Sequence, residues 1–146
     1  MLKTIVGFVI LVAAVTTVLV GPEMYRSWRG TQALQATGLQ FLTLDAALAE
    51  SRTRSKPVFV DYTAKWCGTC RAMHNRVFTD ARVREAIARG YVLALVDYES
   101  PEADAFRKRY DAEHTPTLLV LDGSGNLIRR LDVTLDPQVF LAELGG

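Results

Sequence analysis

The sequence predicts an α/β domain built around a mixed central sheet and preceded by one apolar N-terminal helix. Three observations support this prediction: an uncharged apolar stretch before residue 22, alternation of β-branched runs with helical patterns after residue 39, and a glycine-rich turn between the last two runs. Lys and Arg number 17 against 16 Asp and Glu in a chain of 146 residues. This near-zero net charge argues against a nucleic-acid-binding protein, which normally carries a basic excess.

The N-terminal stretch from Thr4 to Pro22 contains nineteen residues and no formal charge. As a helix it would span about 28 Å, close to the hydrocarbon thickness of a bilayer. We therefore predict that residues 1–22 form a transmembrane signal-anchor. The alternative is a cleaved signal peptide, although the apolar run is longer than usual and does not end in small residues. Residues 23–38 show no sustained period and are predicted to be a linker with one helical turn near Gln32–Ala36.

Apolar and β-branched runs predict five strands in the domain that extends over residues 39–146. The run VFVDY that follows Pro57 is typical of a buried strand. The last two strands flank the turn DGSGN, whose glycines favour an antiparallel hairpin. The predicted strands cover residues 39–44, 58–62, 91–96, 117–121 and 127–131.

Helical spacing and capping residues predict five helices between and after these strands. Thr79 or Asp80 is a suitable N-cap for the third helix, and Gly90 ends it. Pro101 and Pro137 stand where proline is favoured, at the first position of a helix. Because strands alternate with helices, the early strands should pair in parallel, and the closing hairpin makes the sheet mixed. The predicted helices cover residues 45–54, 67–77, 81–89, 101–110 and 137–144.

The two cysteines, Cys67 and Cys70, have the spacing C-x-x-C where a predicted strand gives way to a helix. A helix N-terminus favours negative charge through its free N–H groups and its dipole, so Cys67 is expected to be partly thiolate at neutral pH. Lys65 would add to this positive field. The thiolate is the species that attacks a disulfide, and Cys70 lies one turn later, where it can resolve the product. The pattern predicts a redox-active disulfide that needs no organic cofactor.

Residues 39–144 resemble the thioredoxin superfamily. The resemblance rests on the segment KPVFVDYTAKWCGTCRAM and on the later segments VFTDARVREAI, YVLALVDY and HTPTLLVLDGSG. Within that superfamily the region is similar to the C-terminal periplasmic domain of DsbD-type thiol:disulfide interchange proteins. The resemblance implies a thioredoxin-like three-layer fold around the mixed sheet. The W-C-x-x-C and the later Thr-Pro-Thr are specific for the superfamily and much less specific for a substrate.

The resemblance also implies catalytic roles for three residues. Cys67 matches the nucleophile, Cys70 the resolving thiol, and Asp61 the buried carboxylate that takes the proton of the second cysteine. Burial favours the neutral form of a carboxyl, which suits such a group to proton transfer. The alternative for Asp61 is a strand-end residue that faces water.

Substrate binding is implied for Trp66, Thr115 and Pro116. Pro116 matches the cis-proline of the family, which faces the cysteines and exposes backbone groups to an extended substrate peptide. The sequence departs from thioredoxins at two places, which bear on the redox potential of the cysteine pair and on the handling of the proton of the second cysteine. Thr69 stands where thioredoxins carry proline, and no lysine is present in the strand over 91–96.

His74 has no clear role in the family. It follows Cys70 by four residues, so both side chains share one helix face with Cys67. DsbD-like domains tend to carry an acidic residue here, and His74 could replace it as a titrating group beneath the disulfide. The alternative is a histidine that packs between helix and sheet.

Two other classes of function compete with redox catalysis. A metal-handling protein could use Cys67, Cys70, His74 and His114 as ligands, and Met73 would suit copper(I), although on the helix it points away from the cysteines. A non-catalytic interaction domain is the second alternative, and the presence of both cysteines argues against it. We predict no metal site.

The sequence thus predicts a membrane-anchored thiol-disulfide oxidoreductase, and a protein-disulfide reductase is favoured over a dithiol oxidase or isomerase. Its expected partners are protein disulfide substrates and a membrane or soluble electron donor that re-reduces the cysteine pair. The expected location is the inner membrane, single-pass, with the catalytic domain in the periplasm. The alternative is a soluble periplasmic protein after signal cleavage.

Overall fold

A mixed four-stranded sheet forms the centre of the protein in a computed structural model that describes residues 2–145, with side chains from residue 5 onward. Met1 and Gly146, which fall within the predicted domain boundaries, lie outside the described residues. The strand order is β2-β1-β3-β4, in which β1 and β2 are parallel and the other neighbours are antiparallel. The strands are β1 (Val58–Thr63), β2 (Val92–Asp97), β3 (Thr117–Leu121) and β4 (Leu127–Leu131).

Helices cover both faces of the sheet, as the predicted three-layer architecture requires. Alternate residues of β1 point to opposite faces, so Val58, Val60 and Tyr62 pack with one group of helices and Phe59 with the other. The helices are α1 (Leu2–Ala36), α2 (Leu44–Arg54), α3 (Gly68–Met73), a π-helix (His74–Phe78), α4 (Ala81–Gly90), α5 (Ala103–Tyr110) and α6 (Pro137–Leu144).

Local sequence explains most of the boundaries. Thr43 caps α2, and Asp80 accepts from the backbone N–H groups of Arg82 and Val83 at the start of α4. The predicted hairpin is present: Asp122 accepts from two N–H groups of its own turn, and Gly125 there adopts a φ of +79°. A φ in this range favours glycine.

Two predicted elements differ from the structure. The strand predicted over 39–44 is reduced to a single parallel bridge between Leu42 and Ala94, because only Leu42 exchanges backbone hydrogen bonds with β2. The helix predicted over 67–77 divides into α3 and the π-helix at His74. A π-turn inserts an extra residue and changes which side chains face the sheet.

The segment predicted as an irregular linker is helical. Helix α1 continues through Pro22 to Ala36, and its second half packs on α3 and the π-helix. Its buried or half-buried residues in this half recur at helical spacing, at Ser27, Gly30, Thr31, Ala33 and Leu34. This tertiary contact, which a local pattern search does not detect, stabilises the helix beyond the apolar stretch.

The apolar half of α1 is long and hydrophobic enough to cross a membrane, and none of it is buried in the protein. Its large apolar side chains are exposed, and Phe8, Ile10 and Leu19 are between about three-fifths and seven-tenths exposed. The contrast with the docked second half divides the helix into two parts with different surroundings.

Candidate active site

Cys67 and Cys70 are joined by a disulfide at the N-terminus of α3. Cys67 is the N-cap of this helix, and the backbone N–H of Cys70 donates to its Sγ over 3.1 Å. This donor and the helix dipole both favour a thiolate at Cys67 once the disulfide is reduced. Cys67 is 7% exposed and Cys70 1% exposed. The sulfur that a substrate can reach is therefore that of Cys67.

The peptide bond between Thr115 and Pro116 is cis, as the resemblance implied, and it lies beside the disulfide. The carbonyl oxygen of Thr115 is 3.7 Å from Sγ of Cys67. Strand β3 begins at Thr117, which pairs with Tyr62 near the C-terminal end of β1. The C-terminal ends of β1 and β2, the start of β3 and the disulfide thus lie together, and we call this region the catalytic end of the sheet.

Asp61 does not face water. It is 1% exposed in the middle of the sheet, where it pairs with Leu95 on β2 and Leu118 on β3. Its Oδ2 lies 2.7 Å from Nε2 of His74, which is 3% exposed. Within the described residues, Asp61 Oδ1 and His74 Nδ1 have no hydrogen-bond partner. The structure therefore brings together two residues that the sequence offered separately, as a buried acid–base pair.

The two residues before Cys67 have different surroundings. The ammonium of Lys65 lies 3.3 Å from Asp97 at the end of β2, and its side chain is about half exposed. It pairs with this carboxylate, which offsets its charge near the cysteines. Trp66 is 43% exposed and meets the ring of Tyr98 edge-on at 5.5 Å. Its indole offers an apolar surface beside Cys67.

Helix α1 forms one wall of a cavity of about 100 Å³ next to the buried pair. A Cβ on Gly30 would lie 2.7 Å from the carbonyl carbon of Lys65 and would overlap its oxygen, so only glycine permits this approach. Sequence reasoning missed this wall; the small residues Ser27, Gly30 and Thr31 at helical spacing were the available signal. The cavity is lined by Gly30, Thr31, Leu34, Lys65, Arg71 and His74, among others.

The residues of the metal alternative are dispersed. Met73 is buried in the core cluster of Phe59 and Phe140, whereas the cysteines belong to a separate small cluster. His114 is exposed, and the ring of His74 pairs with Asp61. Among residues 2–145, no group of three or more His, Cys, Asp or Glu side chains is placed to hold a metal ion.

The sheet order, the disulfide at a helix start and the facing cis-proline define a thioredoxin-like redox domain. Residues 39–123 match the sequence profile of the thioredoxin-like family, and the chain belongs to this family. Its homologues include the thiol:disulfide interchange protein DsbD of Ralstonia nicotianae, 36% identical over 85 residues, which are 57% of this chain. The match covers 14% of that longer protein.

Solved structures share the fold. A thioredoxin from Thermus thermophilus superposes with a TM-score of 0.66 and 26% identity, covering 73% of this chain and 85% of the other. The oxidised C-terminal domain of DsbD from Neisseria meningitidis superposes with a TM-score of 0.60 and 22% identity, covering 70% and 95%. The thioredoxin-like fold expected from the sequence is confirmed.

Proposed function

We propose that this protein is a membrane-anchored thiol-disulfide oxidoreductase that reduces disulfides in exported proteins. The observation that carries the proposal is the Cys67–Cys70 pair, held at a helix N-terminus with the outer sulfur beside the backbone of Thr115 and Pro116. The homology to DsbD, whose name describes thiol:disulfide interchange, supports the same chemistry.

The reaction begins from the reduced pair. The Cys67 thiolate attacks one sulfur of a substrate disulfide, and the other substrate sulfur leaves as a thiolate that takes up a proton. Cys70 then loses its proton and attacks Cys67, which releases the second substrate thiolate and forms the Cys67–Cys70 disulfide. Two electrons have passed to the substrate, and each substrate sulfur ends as a thiol.

The buried pair serves the second step. Cys70 lies in α3, which continues into the π-helix that holds His74. Because Cys70 is buried, its proton cannot pass directly to solvent. Asp61 is the proposed acceptor, and the imidazole of His74, hydrogen-bonded to it, is proposed to modulate how readily Asp61 takes and returns the proton. Lys65 has a smaller proposed effect, because Asp97 already offsets its charge.

Substrate is proposed to bind as an extended segment against Thr115 and Pro116. The carbonyl oxygen of Thr115 lies beside Cys67, and the exposed ring of Trp66, the residue before Cys67, supplies an apolar contact. This arrangement recognises backbone more than side chains, which suits an enzyme that accepts several proteins.

The apolar half of α1 is proposed to anchor the domain in the inner membrane with its catalytic part in the periplasm. Its length and exposed apolar surface support a membrane span. An oxidising compartment supplies disulfides to reduce. The disulfide left on the enzyme is then re-reduced by a separate electron donor.

The order of attack can be tested by trapping. In a Cys70→Ser variant the mixed disulfide on Cys67 cannot be resolved, so incubation with an oxidised protein substrate should accumulate a covalent adduct sensitive to dithiothreitol. The matched Cys67→Ser variant should give no adduct, because Cys70 is buried. Adducts of equal yield in both variants would refute the assignment of Cys67 as nucleophile.

The direction of electron flow depends on the reduction potential of the Cys67–Cys70 pair. This potential can be measured on the full chain in detergent, equilibrated against dithiol buffers. The reduction potential of a reductase should lie near that of thioredoxin, at about −270 to −220 mV. A potential near −120 mV would instead indicate an oxidant that donates its disulfide to substrates. The full chain is required because α1 packs on the catalytic domain.

A further inference from the structure

The cavity beside the buried pair lies between the docked half of α1 and the catalytic end of the sheet. Gly30, Thr31 and Leu34 of α1 form one wall, and Thr63 of β1 and Leu95 of β2 also line it. Its volume of about 100 Å³ is several times the roughly 10–15 Å³ that one water molecule requires. The cavity can therefore hold several water molecules.

Two buried polar atoms of the residues that line this cavity have no hydrogen-bond partner among the described residues. They are Nδ1 of His74 and the hydroxyl oxygen of Thr63, and the two residues are 3% and 6% exposed. Buried polar atoms without a protein partner commonly bind ordered water. Nε2 of His74 is already held by Asp61, so Nδ1 is the atom that the imidazole has free for such water.

We propose that water in this cavity takes the proton that leaves the buried pair when Cys70 is deprotonated, so that the docked half of α1 is a wall of the proton path. This inference rests on the exchange reaction proposed above, in which Asp61 accepts the proton of Cys70. Because Cys70 and Asp61 are each 1% exposed, neither passes a proton directly to bulk solvent. The cavity reaches the surface beside Lys65 and Arg71, which line it and are partly exposed.

The transfer keeps the buried site free of net charge. In the reduced enzyme the pair is an imidazolium beside a carboxylate, and the thiol of Cys70 carries its proton. When Cys70 attacks Cys67, this proton passes to Asp61, and the disulfide forms as the substrate thiolate leaves. The imidazolium has then lost its counter-charge, which is unfavourable in the interior, and it releases the proton on Nδ1 to the cavity water. Re-reduction of the disulfide reverses both proton movements.

The charged groups near His74 come from several elements of the domain. Asp61 belongs to β1, and Lys65, Arg71 and Asp97 share the cavity from the loop after β1, from α3 and from β2. Lys65 is paired with Asp97, whereas the guanidinium of Arg71 adds positive charge that favours release of a proton from the imidazolium. Helices α4 and α6, which also pack on the π-helix, meet it through an apolar cluster.

The path is tested by filling the cavity from the side of α1. The reduced full chain in detergent reacts with dithiobis(nitrobenzoic acid), which releases one coloured thiolate when Cys67 attacks and a second when Cys70 resolves the adduct. Thr31→Phe should slow the second release about tenfold, since a positioned proton carrier contributes at least this much. The first release should not change, because Cys67 is not among the residues that line the cavity.

Gln32→Phe is the matched control for this variant. Gln32 is the next residue of α1 and is exposed, so the same aromatic ring there stays outside the cavity and should alter neither release. Equal rates of the second release in Thr31→Phe and Gln32→Phe would overturn the proposal.

A second variant leaves both α1 and the cavity volume as they are. Thr63→Val removes the hydroxyl that would hold the water and keeps the size of the side chain. The second release should slow about fivefold, the fold-change that corresponds to one hydrogen bond. Thr53→Val, at an exposed position of α2, is the control and should have no effect. A second release that Thr63→Val leaves unchanged would also overturn the proposal.

Rescue by imidazole distinguishes proton transfer from a structural role of His74. In His74→Ala the space of the lost ring joins the cavity, and added imidazole should restore the second release about tenfold, because it carries protons at neutral pH. The double variant His74→Ala/Thr31→Phe should not be rescued, since the phenylalanine ring fills the cavity. Rescue of equal size in both variants would show that the proton leaves by another route.

Failure of the proposed function is recognised separately in the same assay. In Cys70→Ser only the first thiolate should be released, and its loss would refute Cys67 as the nucleophile. A normal first release with a second release that is insensitive to the cavity variants would refute the proton path alone.

Discussion

The imidazole Nε2 of His74 and the carboxylate Oδ2 of Asp61 lie 2.7 Å apart, with both side chains almost fully buried. The pair joins the central strand β1 to the π-helix that follows the cysteines. Lys65, Arg71 and Asp97 are the charged groups that share the adjoining cavity with His74. In the interior of a protein, loss of one partner of such a pair leaves the other without compensation, at a high cost in free energy.

Removal of one member of the pair should destabilise the fold more than removal of both. His74→Leu leaves the Asp61 carboxyl without its partner, and such a loss costs about 3–5 kcal/mol when the remaining group stays charged. The double variant Asp61→Leu/His74→Leu should cost less, since no buried charge remains. Urea unfolding at pH 7 with the disulfide intact measures both free energies.

The control variant is Asn75→Leu. Asn75 is the next residue of the π-helix and is exposed, so its replacement should change the free energy of unfolding little. A double variant that is less stable than His74→Leu would contradict a coupled pair.

The pH dependence of disulfide exchange should depend on His74. Imidazole is the side chain that ordinarily titrates in the physiological range, and His74 contacts the proposed proton acceptor. His74→Gln keeps a hydrogen-bond donor for Asp61 but cannot titrate, so the rate of exchange should vary less between about pH 6 and 8. Stopped-flow measurement of Trp66 fluorescence during reaction with dithiothreitol gives the profile, and an unchanged profile would refute the modulating role.

Gly30→Ala should weaken the attachment of α1 to the domain. A methyl group there overlaps the backbone of Lys65, and such overpacking costs about 1–3 kcal/mol. Gly90→Ala is the control: this glycine is also helical, and a Cβ at this position would meet nothing within 4 Å, so the change should stay within about 0.5 kcal/mol. Urea unfolding in detergent measures both, and equal effects would show that the close approach is unimportant.

Tyr110 should contribute to stability at neutral pH and lose this contribution in alkali. Its hydroxyl donates to the carbonyl of Gly125 over 2.8 Å, and burial raises the pKa of Tyr110. The unfolded chain therefore releases this proton first, above about pH 10, and stability falls as pH rises through the higher folded pKa. Tyr110→Phe should cost about 1 kcal/mol at pH 7 and less at high pH.

Burial also raises the pKa of Tyr62, so some alkaline loss should remain in the Tyr110→Phe variant. Tyr25→Phe, on the exposed part of α1, is the control and should leave the loss of stability at high pH unchanged. If Tyr110→Phe does not alter the loss of stability at high pH, that loss does not come from Tyr110.

Local patterns were sufficient for the parts of this protein that local interactions determine. The run VFVDY, the C-x-x-C and the DGSGN turn each carry their own signal, and the structure has a strand, a helix start and a hairpin there. The docking of α1 was not predictable in this way. Gly30 looks like a helix breaker in isolation and becomes a contact residue only when the backbone of Lys65 lies against it.

The acid–base pair shows the same limit. Asp61 and His74 are 13 residues apart, and their meeting depends on how the π-helix packs across β1. The edge strand expected over 39–44 failed for a related reason. Its apolar residues pack against the core, Leu39 and Phe41 on one side of the sheet and Leu42 on the other, and a single bridge at Leu42 remains of the pairing.

The division of α1 into an exposed apolar half and a docked half means that the domain can be separated from the apolar stretch without removing the docked part of the helix. The docked face begins at Ser27, whereas the apolar stretch ends at Val20, so a cut between them leaves the docked half of α1 on the domain. The released fragment would keep the Gly30–Lys65 contact and the cavity beside His74. A domain separated at this point would therefore keep both its catalytic centre and the helix that forms the wall beside it.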